Sequence, residues 1–178
     1  YNAITLTYGD KTGSIKAGSQ TYLNISHQQL GIAWKLASTT NFVITDDKID
    51  AFYRIEGRLI YKDLVIKCLK YGANDVDSIN DFKQVIHILA RDVIAKGAIT
   101  PTVIYLPNNL GNLGGFQIGT FFAFMCPKEK EHHLSHELFH VLGQKDHIWD
   151  YLKYTKQDKK TITNNIMGYS NYAFSFWN

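Results

Sequence analysis

INDFKQVIHILARDVIAKGAITPTVIYL, residues 79–106, is the stretch that decides the fold class of this chain. Apolar side chains recur in it every three or four residues and form one helical stripe: Ile79, Phe82, Val85, Ile86, Leu89, Ala90, Val93 and Ile94. Gly97 is a typical helix stop, and the apolar, β-branched run TVIYL at 102–106 follows it. The stretch therefore predicts a long helix over 79–96 and then a buried strand.

Strand and helix patterns alternate over the rest of the chain as well. They predict strands at 3–8, 41–45 and within 116–126, and strand-like residues at 51–55. Helices are predicted over 23–37, from the Gly57 turn to Tyr71, and from near Glu129 to Gly143. Strands interleaved with long helices indicate the α/β (α+β) class. We expect a sandwich whose sheet is at least partly parallel.

The composition is that of an ordinary globular protein. The 178 residues fit a single domain, 1–178, and 45% are apolar and 20% charged. A net charge of +3 gives no reason to expect a nucleic-acid partner, and no apolar run is long enough to span a membrane. Cys68 and Cys126 could form one disulfide, which the sequence does not decide. Lacking an initiator Met and a signal peptide, the sequence is expected to be a mature product or an excised domain.

Histidine is the unusual feature, because five of the seven His residues lie between 132 and 147. Among them, His136, Glu137 and His140 form an H-E-x-x-H pattern on a predicted helix. Residues four apart on a helix project to the same side, so the two imidazoles can hold one Zn²⁺. Glu137 is placed to reach a zinc-bound water as a general base. The pattern alone is also compatible with two surface histidines. The residues that follow it must distinguish this alternative from a zinc site.

A catalytic zinc site needs a third protein ligand and an open position for water. No Glu follows Glu137, and Gly143 allows a sharp turn that brings the next residues back beside His140. Asp146 and His147 lie at the right distance along the chain, and Asp150 and Asp158 lie further away. Asp146 is the preferred third ligand and His147 the alternative.

The segment HELFHVLGQKD, residues 136–146, resembles the metzincin consensus H-E-x-x-H-x-x-G-x-x-H/D. Its HVLGQKDH portion is particularly similar to the small snapalysins, which use Asp at the third ligand position. NNIMGYS, residues 164–170, resembles the metzincin Met-turn, with Met167 in the key place. Tyr169 matches the M-x-Y of the astacin and serralysin branches, so the chain combines features of different branches. Fewer residues follow the Met-turn here than in most of the family.

This resemblance implies a metzincin-like fold: a twisted mixed sheet with two long helices, an active-site helix, and a short C-terminal subdomain over 144–178 after a larger one over 1–143. It implies one catalytic Zn²⁺ on His136, His140 and Asp146, with Met167 as a hydrophobic floor. Tyr169 would assist Zn²⁺ in stabilising the oxyanion. The role of calcium is not readable from the sequence.

In this family the substrate pairs antiparallel with an edge strand above the helix. The segment GGFQIGTFF, residues 114–122, is the candidate, with Gly115, Phe116, Gln117 and Ile118 as substrate-binding residues. Gly114 and Gly115 would allow close approach of the peptide backbone. The alternative is a plain core strand.

Three functions are therefore open. The first is a secreted zinc endopeptidase that acts on peptides or proteins, with a propeptide or inhibitor that this chain does not reveal. The second is the peptidase domain of an exported toxin or effector with one protein target. The third is a catalytically silent zinc-binding module. The presence of Glu137 favours the first two, because a binding module does not need a general base.

Overall fold

The computed structural model describes residues 1–28 and 30–143. This part of the chain contains six strands and five α-helices. The strands are β1 (Asn2–Tyr8), β2 (Lys11–Thr12), β3 (Ser38–Ile44), β4 (Thr102–Tyr105), β5 (Gly115–Ile118) and β6 (Phe122–Met125). The helices are α1 (Ser19–Gln28), α2 (Asp46–Ile55), α3 (Lys62–Tyr71), α4 (Val76–Leu89) and α5 (Glu131–Val141), with a 3₁₀ turn at Leu59–Tyr61 and a π turn at Ala90–Ile94.

The six strands form one mixed sheet. β1 pairs in parallel with β3 and with β4, and β4 pairs in parallel with β6. β5 runs antiparallel to β6 at the end of this path, while β2 forms a short antiparallel pair with the end of β1. The expectation of a mixed α and β fold with a partly parallel sheet is confirmed.

Two cores lie on opposite faces of the sheet. The larger one joins the sheet to α2, α3 and α4 and includes Leu6, Ile44, Ile49, Tyr53, Val65, Leu69, Phe82, Ile86, Leu89, Ile104 and Phe124. The smaller one joins the sheet to α1 and α5 and includes Ala3, Leu23, Val103, Tyr105, Ala123, Met125, Leu134 and Leu138. The helix that carries the H-E-x-x-H residues is thus fixed to the sheet by its apolar side.

The predicted helix over 23–37 is wrong at its end, because α1 stops at Gln28. Gly31 adopts a left-handed φ of 70°, which breaks helical geometry. Trp34, beyond that turn, donates from its indole Nε1 to His27 Nδ1 at 3.0 Å. The segment after Gly31 therefore folds back beside α1 instead of extending it.

The strand-like interpretation of residues 51–55 is also wrong, because they lie in α2. The side chain of Thr45 accepts a hydrogen bond from the Lys48 backbone N–H, which caps the helix. Ile49 and Tyr53, four residues apart, are then both buried on the side that faces the core. The cap and this spacing outweigh the β propensity of a short apolar run.

The predicted helix over 79–96 is confirmed in its body and differs at both ends. It begins at Val76, because the carboxylate of Asp75 accepts from the Ser78 backbone N–H. Its last turn, from Ala90, is π-helical, and Gly97 follows with a φ of 77°. The buried strand β4 comes next, as predicted.

Cys68 and Cys126 are free thiols on the described part of the chain and do not form the disulfide that the sequence left open. Burial raises the pKa of Cys68 to about 11 and that of Cys126 to about 12, so both stay protonated. None of the described helices combines the length and the apolar character needed to cross a membrane. The predicted subdomain over 144–178 lies outside the described residues.

Candidate metal centre

α5 forms where the His-rich segment predicts it. The helix begins at Glu131, and the imidazole Nδ1 of His133 accepts a hydrogen bond from the Lys130 backbone N–H at 2.8 Å. Leu134 and Leu138, four residues apart, are fully buried in the smaller core. This orientation leaves His136 and His140 on the side of the helix that faces a cleft.

The imidazoles of His136 and His140 converge on one point. Their Nε2 atoms are 3.2 Å apart, and the ring planes are inclined at 84°. Two nitrogens that each lie about 2.0–2.1 Å from a tetrahedral Zn²⁺ are separated by about 3.3 Å. The two side chains therefore fit a single zinc ion in their present rotamers.

Glu137 lines the same cleft and is only 7% exposed. Burial raises the pKa of its carboxyl group to about 8, and the positive charge of Lys83 acts in the opposite direction. A carboxylate with a raised pKa is a stronger base than an exposed one, which suits general-base catalysis.

The cleft has a volume of about 650 Å³ and lies between α5, β5 and α4. Its walls are formed by Lys83, Leu113, Gly115, Phe116, Gln117, Gly119, Thr120, His136, Glu137, His140, Val141 and Gly143. Three of the four predicted substrate-binding residues are among them. Ile118 instead packs against the larger core, and the Phe116 ring stacks on Phe124 with centroids 4.8 Å apart.

β5 presents a free backbone edge to this cleft within the described part of the chain, because it pairs with β6 on one side only. The Cys126 backbone N–H donates to the Gly114 carbonyl at 2.9 Å, so the residues at 114, 116 and 118 direct their backbone groups toward β6. By alternation, the N–H and C=O groups of Gly115 and Gln117 point outward. They can pair with an extended chain lying in the cleft.

Gly114 and Gly115 permit the close contact between β5 and α5. A Cβ atom on Gly114 would lie 1.8 Å from His133 Nδ1, and one on Gly115 would lie 3.1 Å from Glu137 Cγ. Close approach of a substrate backbone at these glycines stays a prediction. The helix that lies against them in the structure is α5.

α1 holds α5 at the residue that precedes the first imidazole of the pair. The hydroxyls of Ser26 and Ser135 are 2.5 Å apart, and the Nε2–H of His27 donates to the Ser135 carbonyl at 3.1 Å. Because Trp34 donates to His27 Nδ1, that nitrogen is an acceptor and the proton must be on Nε2. Sequence reasoning missed this role of His27, since its partners are remote in the chain.

Two other histidines of α5 lie at the start of the helix. His132 and His133 are half-buried, and their rings meet edge to face with centroids 4.4 Å apart. His132 also lies against the ring of Tyr22 in α1, with centroids 6.1 Å apart. Both side chains belong to the packing of the helix start.

The other predicted site residues, Asp146, His147, Met167 and Tyr169, lie outside the described residues. Within residues 1–28 and 30–143 there is no group of three His, Cys, Asp or Glu side chains that could hold a metal ion. The described part of the chain thus brings together the imidazole pair, the buried carboxylate and the free strand edge. The third ligand, whether Asp146 or His147, stays a prediction.

Comparisons with known proteins gave no match to this chain. No family model matches it, and neither a curated protein nor a solved structure is similar to it at a significant level. The resemblance to metzincins therefore stays a prediction from the sequence motifs, and the functional conclusion depends on the geometry around His136, Glu137 and His140.

Proposed function

We propose that this protein is a zinc-dependent endopeptidase that hydrolyses peptide bonds of protein substrates. One observation carries the proposal: the two Nε2 atoms of His136 and His140 lie 3.2 Å apart in a cleft shared with the buried Glu137 and the free edge of β5. The cleft thus offers a metal-ligand pair, a general base and a surface for an extended chain.

His136 and His140 would hold the ion, with Asp146 as the third ligand and His147 as the alternative. Bound Zn²⁺ would supply a water with a pKa near about 7 and a positive charge that favours the ionised form of Glu137. The separation of the two imidazole nitrogens fits this ion without a change of rotamer.

Glu137 would accept a proton from the attacking water as that water adds to the carbonyl carbon of the scissile bond. It would then deliver the proton to the nitrogen of the leaving amine, so that the C–N bond breaks and a carboxylate forms. The buried position of Glu137 supports this role, because burial raises the pKa of its carboxyl group and makes the carboxylate a stronger base, while the charge of the bound ion would keep it ionised. The Tyr169 hydroxyl would donate to the developing oxyanion, as the family resemblance implies.

The substrate would be an extended polypeptide that pairs antiparallel with β5. The outward N–H and C=O groups of Gly115 and Gln117 supply backbone hydrogen bonds, which tolerate many sequences. Phe116 keeps its ring in the core beside Phe124 and contributes to the wall of the cleft.

The test measures zinc content and cleavage of casein and of a peptide library by the full chain. We expect about one zinc per chain. Glu137→Gln should keep the zinc and lower kcat by about 10²- to 10⁴-fold, the usual contribution of a general base. His140→Ala should lose the zinc, whereas His132→Gln on the same helix should keep both zinc and activity. Full activity in Glu137→Gln, or an absence of zinc from the wild type, would overturn the proposal.

The same assay separates the other two functions. A toxin or effector peptidase would leave casein and the library intact and cleave a single protein. A silent module would bind zinc and cleave nothing, and Glu137→Gln would then behave as the wild type.

A further inference from the structure

Lys83 of α4 is a cation in the wall of the cleft. In the described part of the chain, no acidic side chain lies within 4 Å of it to balance its charge. Its side chain is half-buried, and its Nζ lies 5.5 Å from the centre of the Phe116 ring. None of the ion pairs formed by the described residues includes Lys83. A partly desolvated ammonium group of this kind attracts an anion from the ligand.

The register of β5 determines which part of a bound chain meets Lys83. Residues directly opposite each other in an antiparallel pair have their side chains on the same face of the sheet. Phe116 points to the face that α4 covers, where Lys83 lies over its ring. The substrate residue opposite Phe116 would therefore direct its side chain toward Lys83. Neighbouring substrate residues would point to the other face, toward α5.

The direction of the chain places this residue before the scissile bond. Glu137 lies beside Gly115, where an added Cβ would be 3.1 Å from its Cγ. In an antiparallel pair, the residue opposite Phe116 precedes the residue opposite Gly115.

Two further groups follow Lys83 along the same side of α4 and its π turn and do not add a free charge. His87 and Arg91 line an adjoining depression of about 420 Å³ that shares Gly119 and Thr120 with the cleft. Arg91 forms two hydrogen bonds with Asp92, of 2.6 and 2.7 Å, so its charge is balanced locally. Burial and the charge of Arg91 lower the pKa of His87, which keeps it neutral. Among the described Lys and Arg residues that line the cleft and this depression, Lys83 is the one without an acidic partner.

We propose that Lys83 is a specificity-determining residue that selects an Asp or Glu side chain at the substrate position opposite Phe116, on the N-terminal side of the scissile bond. This inference rests on the proposed function and names its substrate class: extended segments with one acidic residue shortly before the cleavage site.

The first arm of the test compares kcat/KM for peptides that carry Asp or Asn at each position in turn, using the full chain loaded with zinc. The wild type should prefer Asp by about fivefold at one position before the scissile bond. Lys83→Met should lose this preference and Lys83→Arg should keep it. Lys67→Met, at an exposed lysine of α3 that does not line the cleft, should behave as the wild type. A preference that survives in Lys83→Met would overturn the proposal, as would a wild type that cleaves Asp and Asn peptides equally.

The second arm measures binding and does not depend on turnover. Fluorescent Asp and Asn versions of one peptide are titrated into zinc-loaded Glu137→Gln protein, with and without Lys83→Met. The Asp peptide should bind more tightly only when Lys83 is present, and the preference should weaken at high salt. If no peptide is cleaved at all, the proposed function fails, and this arm still decides the role of Lys83. Equal affinity of the protein with Lys83 for the Asp and Asn peptides would overturn the proposed role of Lys83.

Discussion

Gly114 and Gly115 determine how closely α5 approaches the sheet. Neither has a positive φ, so their importance is steric rather than conformational. The imidazole of His133 and the aliphatic part of Glu137 occupy the space that side chains at these positions would need. The candidate base reaches the strand edge because two consecutive residues have no Cβ.

Gly114→Ala should lower the free energy of unfolding by about 1–3 kcal/mol, the usual cost of overpacking. The cause is the contact of 1.8 Å between the new Cβ and His133 Nδ1. In a His133→Ala background the same change should cost much less, because the obstructing ring is absent. Urea unfolding of the four proteins measures this coupling, and additive effects of the two changes would contradict it.

Glu129 is a buried acid outside the candidate site. It is 4% exposed, and its Oε1 accepts from the Lys16 backbone N–H at 3.1 Å, while its Oε2 has no hydrogen-bond partner in the described part of the chain. Burial raises its pKa from 4.5 to about 7. Between these two values the folded protein holds a proton that the unfolded chain releases, so stability falls as the pH rises.

Glu129→Gln should remove this pH dependence. The amide oxygen can still accept from Lys16, but the side chain does not ionise. The variant should match the wild type near about pH 4.5 and exceed its free energy of unfolding by up to about 3 kcal/mol at about pH 8. Glu137 also makes stability fall as the pH rises, but it is present in both proteins. The difference between their urea unfolding curves across this pH range therefore measures the contribution of Glu129. Parallel pH profiles would show that Glu129 is ionised at no cost.

Among the described helices, α1 holds α5 by side-chain hydrogen bonds. The pair of serine hydroxyls and His27 attach α1 to Ser135, one residue before His136. The Trp34 indole then completes the hydrogen bonds of the His27 ring. The helix with the candidate ligands is thus held by polar contacts as well as by its buried leucines.

His27→Ala should lower the free energy of unfolding by about 2 kcal/mol, because it leaves the half-buried Trp34 N–H without its acceptor and opens a cavity at a fully buried position. His87→Ala is the matched control, since His87 is half-buried on α4 and its ring packs against that of Phe122, with centroids 5.8 Å apart. Chemical denaturation of both variants should show the larger loss for His27. Equal losses would contradict a special role for the contact between α1 and α5.

The elements that the sequence predicted well are those whose pattern is long and regular. The stripe on α4, the run TVIYL in β4 and the His-rich α5 form close to their predicted positions. The strand-like interpretation of 51–55 is wrong because the helix there depends on the Thr45 cap and on Tyr53, whose hydroxyl donates to the Val85 carbonyl of α4 at 3.0 Å. A contact across 32 residues leaves no local signal in a short window.

In the candidate site too, features that depend on local spacing were predicted, and features that depend on contacts between distant elements were not. Spacing on one helix was enough to place His136 and His140 on one side. The pairing of β5 at the edge of the sheet, the position of Lys83 and the support from His27 depend on how separate elements meet. Asp146, Met167 and Tyr169 lie outside the described residues, so their roles stay predictions.

For the whole molecule, bound zinc should stabilise the fold by mass action. At a free concentration about 100 times Kd the gain is about 2.7 kcal/mol. In a chain of 178 residues this corresponds to about 5–10 °C in Tm. A chelator should therefore lower the Tm of the wild type by this amount and leave His140→Ala unchanged. Calorimetry with and without chelator measures the shift, and equal melting of the wild type in both conditions would exclude a resident metal.

The free edge of β5 has a consequence for the end of the proposed reaction. Backbone pairing along Gly115 and Gln117 would hold the part of the substrate that precedes the scissile bond. After hydrolysis this part would become one of the two products and would keep the same hydrogen bonds to the strand. The other product loses its covalent link to that anchor and would leave first. Product release would then limit turnover, and the amino-terminal fragment would act as a competitive inhibitor of the next cycle.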